Sequence, residues 1–126
     1  MFETLEIFRL SHAMARHAGA RQAVVARNMA NADTPGYRAR DIVPFSEVLE
    51  AGPGMRATRP GHRFGGAGPG VFEPHIERGA ARDPNGNSVS LETEMLRGVE
   101  VQRQHSRALA IYRSGLSVLR TALGRR

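Results

Sequence analysis

The side chains able to do chemistry are scattered along this sequence. Five histidines, His12, His17, His62, His75 and His105, could ligate a metal, yet none stands in a His-x-x-x-His or His-Glu-x-x-His spacing. On a helix, His12 and His17 are separated by about 500° of rotation and do not share a face. The carboxylates Asp33, Asp41, Glu47 and Glu50 flank a Gly-rich region with no apolar pocket to split their pKa values, as acid–base catalysis requires. They read as solvated charges. The run Gly65-Gly66-Ala67-Gly68-Pro69-Gly70 lacks the Gly-Lys-Ser/Thr of a phosphate loop, and Ser11, Ser46 and Ser114 lie in no nucleophile-elbow pattern. With no cysteine in the chain, thiolate catalysis, disulfides and Cys-ligated zinc are excluded. These residues point away from an enzyme: no catalytic, cofactor-binding or metal site is expected, and no cofactor.

The elements that would have to position any site are two helices. From Phe2 to about Asn31, Leu5, Phe8, His12, Ala15, Gly19, Gln22, Ala26 and Met29 recur at steps of three and four, the spacing of one helix face. Ala13, Ala15, Ala18 and Ala20 make this helix thin, so it needs a partner. A second helix opens near Ser88 to Ser90, where a hydroxyl can cap free N–H groups and Glu92 and Glu94 complement the dipole. Leu91, Met95, Val99, Gln102, Ser106, Leu109, Tyr112, Leu116, Leu119 and Leu123 follow at a mean step of about 3.5, which suits a coiled coil. Gln102 and Ser106 interrupt that stripe as candidate register-fixing residues, and Gly124 ends the helix.

Between the helices the chain changes character. Pro35 cannot continue a helix and drives Thr34 out of the α region, while Pro35-Gly36 supplies the dihedrals of a type II turn. Ile42 to Phe45 reads as a short extended piece and Phe45 to Glu50 as about one helical turn. From Ala51 to Asn87, Gly, Pro, Arg and His dominate, with too few apolar residues to offset the ordering cost. The expected fold is therefore all-α: two long terminal helices pairing as an α-helical coiled coil, apolar stripe against apolar stripe, joined by a long Gly/Pro-rich, largely irregular middle. Residues 1–33 and 88–124 form one discontinuous assembly domain, 34–50 a turn and short extended segment, and 51–87 a flexible linker.

The net charge of +6 would fit nucleic acid, anionic lipid or an acidic partner. Arg38, Arg40, Arg56, Arg59, Arg63, Arg78 and Arg82, with Tyr37, Phe64 and Phe72, make a basic nucleic-acid-binding protein the alternative reading. No recognition motif accompanies them. No run of about 20 apolar residues could span a bilayer, and the N-terminus lacks the basic-then-apolar order of a cleaved signal.

One string is more specific. Asn28-Met29-Ala30-Asn31-Ala32-Asp33-Thr34-Pro35-Gly36-Tyr37, followed by Arg38-Ala39-Arg40-Asp41, resembles the signature of the flagellar rod, hook and axial proteins, most of all the proximal rod subunits. Asn28, Ala30, Asn31, Thr34, Pro35, Gly36 and Tyr37 carry the match. The segment Gly86 to Met95 is similar to the entry of that family's C-terminal helix. The resemblance covers roughly residues 1–45 and 85–124. It implies a structural subunit of the flagellar basal-body rod, polymerising through its terminal helices as part of the motor drive shaft, and located in the periplasm. It also implies export through the flagellar type III apparatus without a cleaved signal. The implied partners are the chain itself, other rod subunits and the rod–membrane-ring junction proteins, with no nucleic acid and no membrane insertion. Under this reading Leu5, Phe8, Met29, Leu91, Met95, Val99, Leu109, Tyr112, Leu116 and Leu119 form the assembly or packing face.

Overall fold

The structure, a computed structural model, describes residues 2–50 and 72–124. Its elements are α1 (Phe2–Ala30), β1 (Arg40–Asp41), α2 (Phe45–Glu50), β2 (His75–Ile76) and α3 (Leu91–Ala122). The chain is mostly helical, as expected, with β1 and β2 adding a small antiparallel ribbon in which Arg40 pairs with Ile76 and Asp41 with His75. Residues 51–71 of the expected linker lie outside the described residues. Its remainder is not linker: residues 72–87 carry β2 and a hydrogen-bonded turn in which the Gly86 N–H donates to Asp83 O and the Asp83 N–H to Asn87 O.

Helix boundaries follow local chemistry. The hydroxyl of Ser90 accepts from the Thr93 N–H, capping α3, and Glu92 and Glu94 occupy the positive dipole end. At the other end Gly124 takes φ +67° and its N–H reaches Thr121 O. α1 stops at Ala30 because Pro35 lies ahead. Gly36 has φ +73° and the Tyr37 N–H returns to Thr34 O at 3.2 Å, the hydrogen-bonded turn that Pro35-Gly36 predicts.

α1 and α3 pack antiparallel. Phe8 meets Tyr112 edge to face with ring centroids 5.2 Å apart, His17 meets Gln104, and Val25 lies over Gly98. Buried positions on α3 are Glu94, Val101, Ala108 and Gly115, at steps of seven, and on α1 they include Ser11, Ala18 and Val25 at the same step.

These are not the expected stripes. On both helices the buried set lies one residue before the stripe: Ser11, Ala18, Val25 and Asn28 against His12, Gly19, Ala26 and Met29, and Glu94, Val101, Ala108 and Gly115 against Met95, Gln102, Leu109 and Leu116. One residue is about 100° of rotation. The expectation that apolar stripe packs on apolar stripe holds where Phe8 meets Tyr112 and is corrected at the other positions. Ala18, Ala108 and Gly115 let the two backbones close up, while Met29, Met95, Val99 and Leu109 of the stripes are turned aside. Gln102 and Ser106 are exposed rather than register-fixing, and Gln104 makes the cross-helix bond to His17 instead.

Gly115 marks the closest approach, since a Cβ there would sit 3.2 Å from two Phe8 ring carbons. In Gly115→Ala the helix-propensity gain of about 1 kcal/mol offsets that crowding, leaving stability near the wild type. Gly115→Leu should cost about 1–3 kcal/mol by forcing the helices apart. Urea unfolding of the pair checks both.

Candidate functional site

The motif residues converge on a junction where α1 ends and α3 begins. Asn28, 1% exposed, donates from Nδ2 to Arg40 O at 2.7 Å, and its Oδ1 accepts from the Arg40 N–H and the Tyr37 hydroxyl. One side chain on α1 thereby clips β1. Asn31 Nδ2 reaches Arg27 O and its Oδ1 accepts from Thr34 Oγ1, which holds the frayed last turn. Such free carbonyls past a helix end need donors.

Asn87 supplies most of them. Its Nδ2 lies 2.9, 2.7 and 2.9 Å from the carbonyls of Asn31, Ala32 and Thr34, while its Oδ1 accepts from the Val89 N–H. Two turns also interlock: the Gly36 N–H donates to Asn85 O, and Gly86, at φ +83°, approaches Gly36 so closely that a Cβ would sit 3.4 Å from its Cα. The Ser88 hydroxyl accepts from the Ala39 N–H and the Ser88 N–H donates to Tyr37 O. Ala30 and Pro35 are exposed and set the backbone path rather than bonding.

Charge fastens the same corner. Arg21 makes a bidentate pair with Asp41, both contacts at 2.8 Å, and Arg97 reaches Asp41, Glu77 and Glu94. Asp41 is thus no solvated carboxylate. Its side chain is 14% exposed; burial pushes its carboxyl up, but the Arg21 bonds, the Ile42 amide and the charge of Arg97 outweigh this and hold it below the ordinary 3.8. The Asp41 bond in turn raises Arg21. A folded-state value below the unfolded one contributes stability that is present above pH 3.8 and lost as pH falls through the folded value. Asp41→Asn should lose about 2 kcal/mol at pH 7 and converge on the wild type under acid, measured by urea unfolding across pH.

His17 is fully buried, with Nε2 2.7 Å from Val43 O, Nδ1 3.2 Å from Gln104, and its ring against Phe45 and Phe72. It pins α2 and the returning chain to α1. Among the described residues no cluster of His, Asp and Glu has the geometry of a metal site, and no helix is long and apolar enough to cross a membrane.

Among the described residues no element covers the opposite side of the helix pair. β1, β2 and α2 cover the face carrying His17, Arg21 and Arg97, whereas the two displaced stripes turn the other way. Because the helices run antiparallel, a shift of one residue in each rotates both stripes to the same side. There Gln22, Val25, Met29, Glu94, Met95, Gly98, Val99, Gln102 and Arg103 line one open groove. Leu5, Met29, Leu91, Met95, Val99, Leu109 and Tyr112 are exposed, and Phe8, Leu116 and Leu119 are half-buried. Ile7, Leu10, Leu96 and Val118 are exposed as well, and the stripe reading left them out.

Comparison with known proteins decides the family. Residues 13–38, the end of α1 through the turn, match the family described as flagella basal body rod protein. The flagellar basal body rod protein FlgB of Agrobacterium fabrum is 33% identical over 125 residues, 89% of this chain and 88% of its own length. The chain belongs to the FlgB family of flagellar basal-body rod proteins. FlgB of Cereibacter sphaeroides is also 33% identical, over 111 residues and 82% of each chain. Members of this family are structural proteins, so the chain is a structural subunit of the flagellar basal-body rod and not an enzyme. The nucleic-acid alternative gains no support from either comparison. Of its residues Arg56, Arg59, Arg63 and Phe64 lie outside the described residues, as do His62 and the Gly65 to Gly70 run.

Proposed function

We propose that this rod subunit polymerises through the open face of its helix pair. One observation carries the reading: within a single chain, Met29, Met95, Val99, Leu109 and Tyr112 remain more than a third exposed while residues beside them are buried. An exposed apolar stripe rimmed by polar residues such as Gln22, Gln102 and Arg103 has the character of a protein-binding surface. A helix from a neighbouring subunit fits the groove, and Gly98 on its floor admits a close approach. Spacing at steps of seven makes a coiled-coil arrangement of the helices, within and between subunits, the natural geometry. Like subunits joined by such heterologous contacts grow into a short open filament rather than a closed ring.

Residues 1–33 and 88–124 act as one assembly unit. The junction at Asn28, Gly36 and Asn87 holds the two helix ends together, so that the groove keeps its shape. The remaining partners are other rod subunits, the rod–membrane-ring junction proteins and the flagellar type III export apparatus. Export proceeds without a cleaved signal, the working position is the periplasmic rod, and neither nucleic acid nor the membrane interior is engaged. Electron microscopy of cells lacking this chain tests the role: loss of rod, hook and filament, restored by the gene in trans, is expected, and normal flagella in the deletion strain would refute it.

A further inference from the structure

We propose that Glu94 is a proton-binding site that couples the stability of the junction to pH. Glu94 is 1% exposed, and its Oε2 is sealed from solvent with no hydrogen-bond partner, alone in this respect among the buried side-chain polar atoms of the described residues. Its Oε1 accepts from Arg97 at 2.8 Å. Arg97 is not its own to keep, because the same guanidinium also serves Glu77 and, at 3.8 Å, Asp41. Arg21 is committed to Asp41 by two bonds.

The cluster therefore sets two guanidinium groups, Arg21 from α1 and Arg97 from α3, against three carboxylates: Asp41 of β1, Glu77 just beyond β2, and Glu94 of α3. One negative charge is in surplus. Asp41 has the bidentate partner, and Glu94 has the buried oxygen without one, so the proton belongs on Glu94. Protonation removes the surplus charge and relieves a buried oxygen whose only stabilising neighbours are Arg97, bonded to the other oxygen, and the Asn28 amide, which already serves Arg40 O. Burial pushes this carboxyl above the ordinary 4.5, with Asn28 and Arg97 pulling the other way and Glu77 pushing with it.

The sign is opposite to that of Asp41. A folded-state value raised above the unfolded one means that folding takes up a proton, so this contribution is fully present below pH 4.5 and is lost as pH rises through the folded value. A single such proton changes the folding equilibrium by at most about tenfold per pH unit inside that window.

The test is urea unfolding of the full chain from pH 4.5 to 8, followed by helical circular dichroism, in the wild type, Glu94→Gln and Glu92→Gln. Glutamine reproduces the protonated acid without its titration. Glu94→Gln is expected to unfold at higher urea than the wild type at pH 8, by several-fold in the folding constant. Its advantage should shrink toward pH 4.5, and Glu92→Gln, an exposed change two residues away on the same helix, should keep the wild-type pH profile. A Glu94→Gln profile parallel to the wild type, or a Glu94→Gln chain that loses its helical signal at every pH, would overturn the proposal, since either result means the ionised carboxylate is what the junction requires.

Discussion

Asn87→Ala is expected to lower stability by about 3 kcal/mol, because buried carbonyls that lose their donor each cost about 1–3 kcal/mol and solvent recovers part of this. The Asn87 amide is 1% exposed and meets three carbonyls past the end of α1 with only two hydrogens, so one of its bonds is shared. Among the described residues no other side chain donates from the segment before α3 to carbonyls after α1; Ser88, its neighbour, spans the same gap only as an acceptor. Truncation strands the carbonyls and frees the Val89 N–H together. Asn87→Asp keeps the shape but aims an acceptor at three acceptors, and should be at least as damaging as alanine. Urea unfolding at neutral pH separates the outcomes. A loss below about 0.5 kcal/mol in both variants, within the range of ordinary surface changes, would mean that Asn87 does not hold the junction.

The second large effect concerns the open face. Met95→Glu combined with Val99→Glu places two charges in the groove at side chains that are 58% and 54% exposed, so the helix pair itself has little to lose. Circular dichroism and the urea midpoint should stay close to the wild type. Assembly should not survive, because two new carboxylates would have to be desolvated against an apolar neighbour and Arg103 in the groove can pair with only one of them. In a deletion strain the double variant should give non-motile cells without rods, while the single change Glu92→Gln on the same helix restores swimming. A motile double variant would place the assembly contacts elsewhere on the subunit.

Much of the molecule was legible from residue types and spacing. The two helices, their caps at Ser90 and Gly124, the turn at Pro35-Gly36 and the short α2 follow from local rules of capping, φ preference and periodicity, and they stand where those rules put them. The rotation of the helix faces did not follow. Periodicity finds the stripe with the most apolar bulk, and in this chain that stripe is held one residue away from the intramolecular contact, where Ala18, Ala108 and Gly115 favour closeness over bulk.

The site was legible in its motif and illegible in its connections. Asn28 and Gly36 stood out as turn chemistry, but that Asn28 clips Arg40 and that Gly36 nests against Gly86 are long-range facts. Asn87 carried one available signal, an asparagine just beyond an Asn-Gly turn and just before a capped helix, and its role as donor to the far helix was missed. The Asp41 ion pair was missed because its partners, Arg21 and Arg97, lie on different helices. Residues 72–87 looked like linker by composition. Their order comes from backbone bonding to β1 and to the turn, which requires little apolar surface.

The absence of native cysteine makes the central claim directly measurable. Met95→Cys and Val99→Cys, introduced singly into cells that assemble functional flagella with the variant, provide one reporter thiol each in the groove. The account predicts rapid maleimide labelling of both thiols in the purified, unassembled subunit and strong protection in isolated hook–basal bodies. Equal labelling of the free and assembled protein at both positions would contradict it, since the groove would then remain open to solvent in the finished rod.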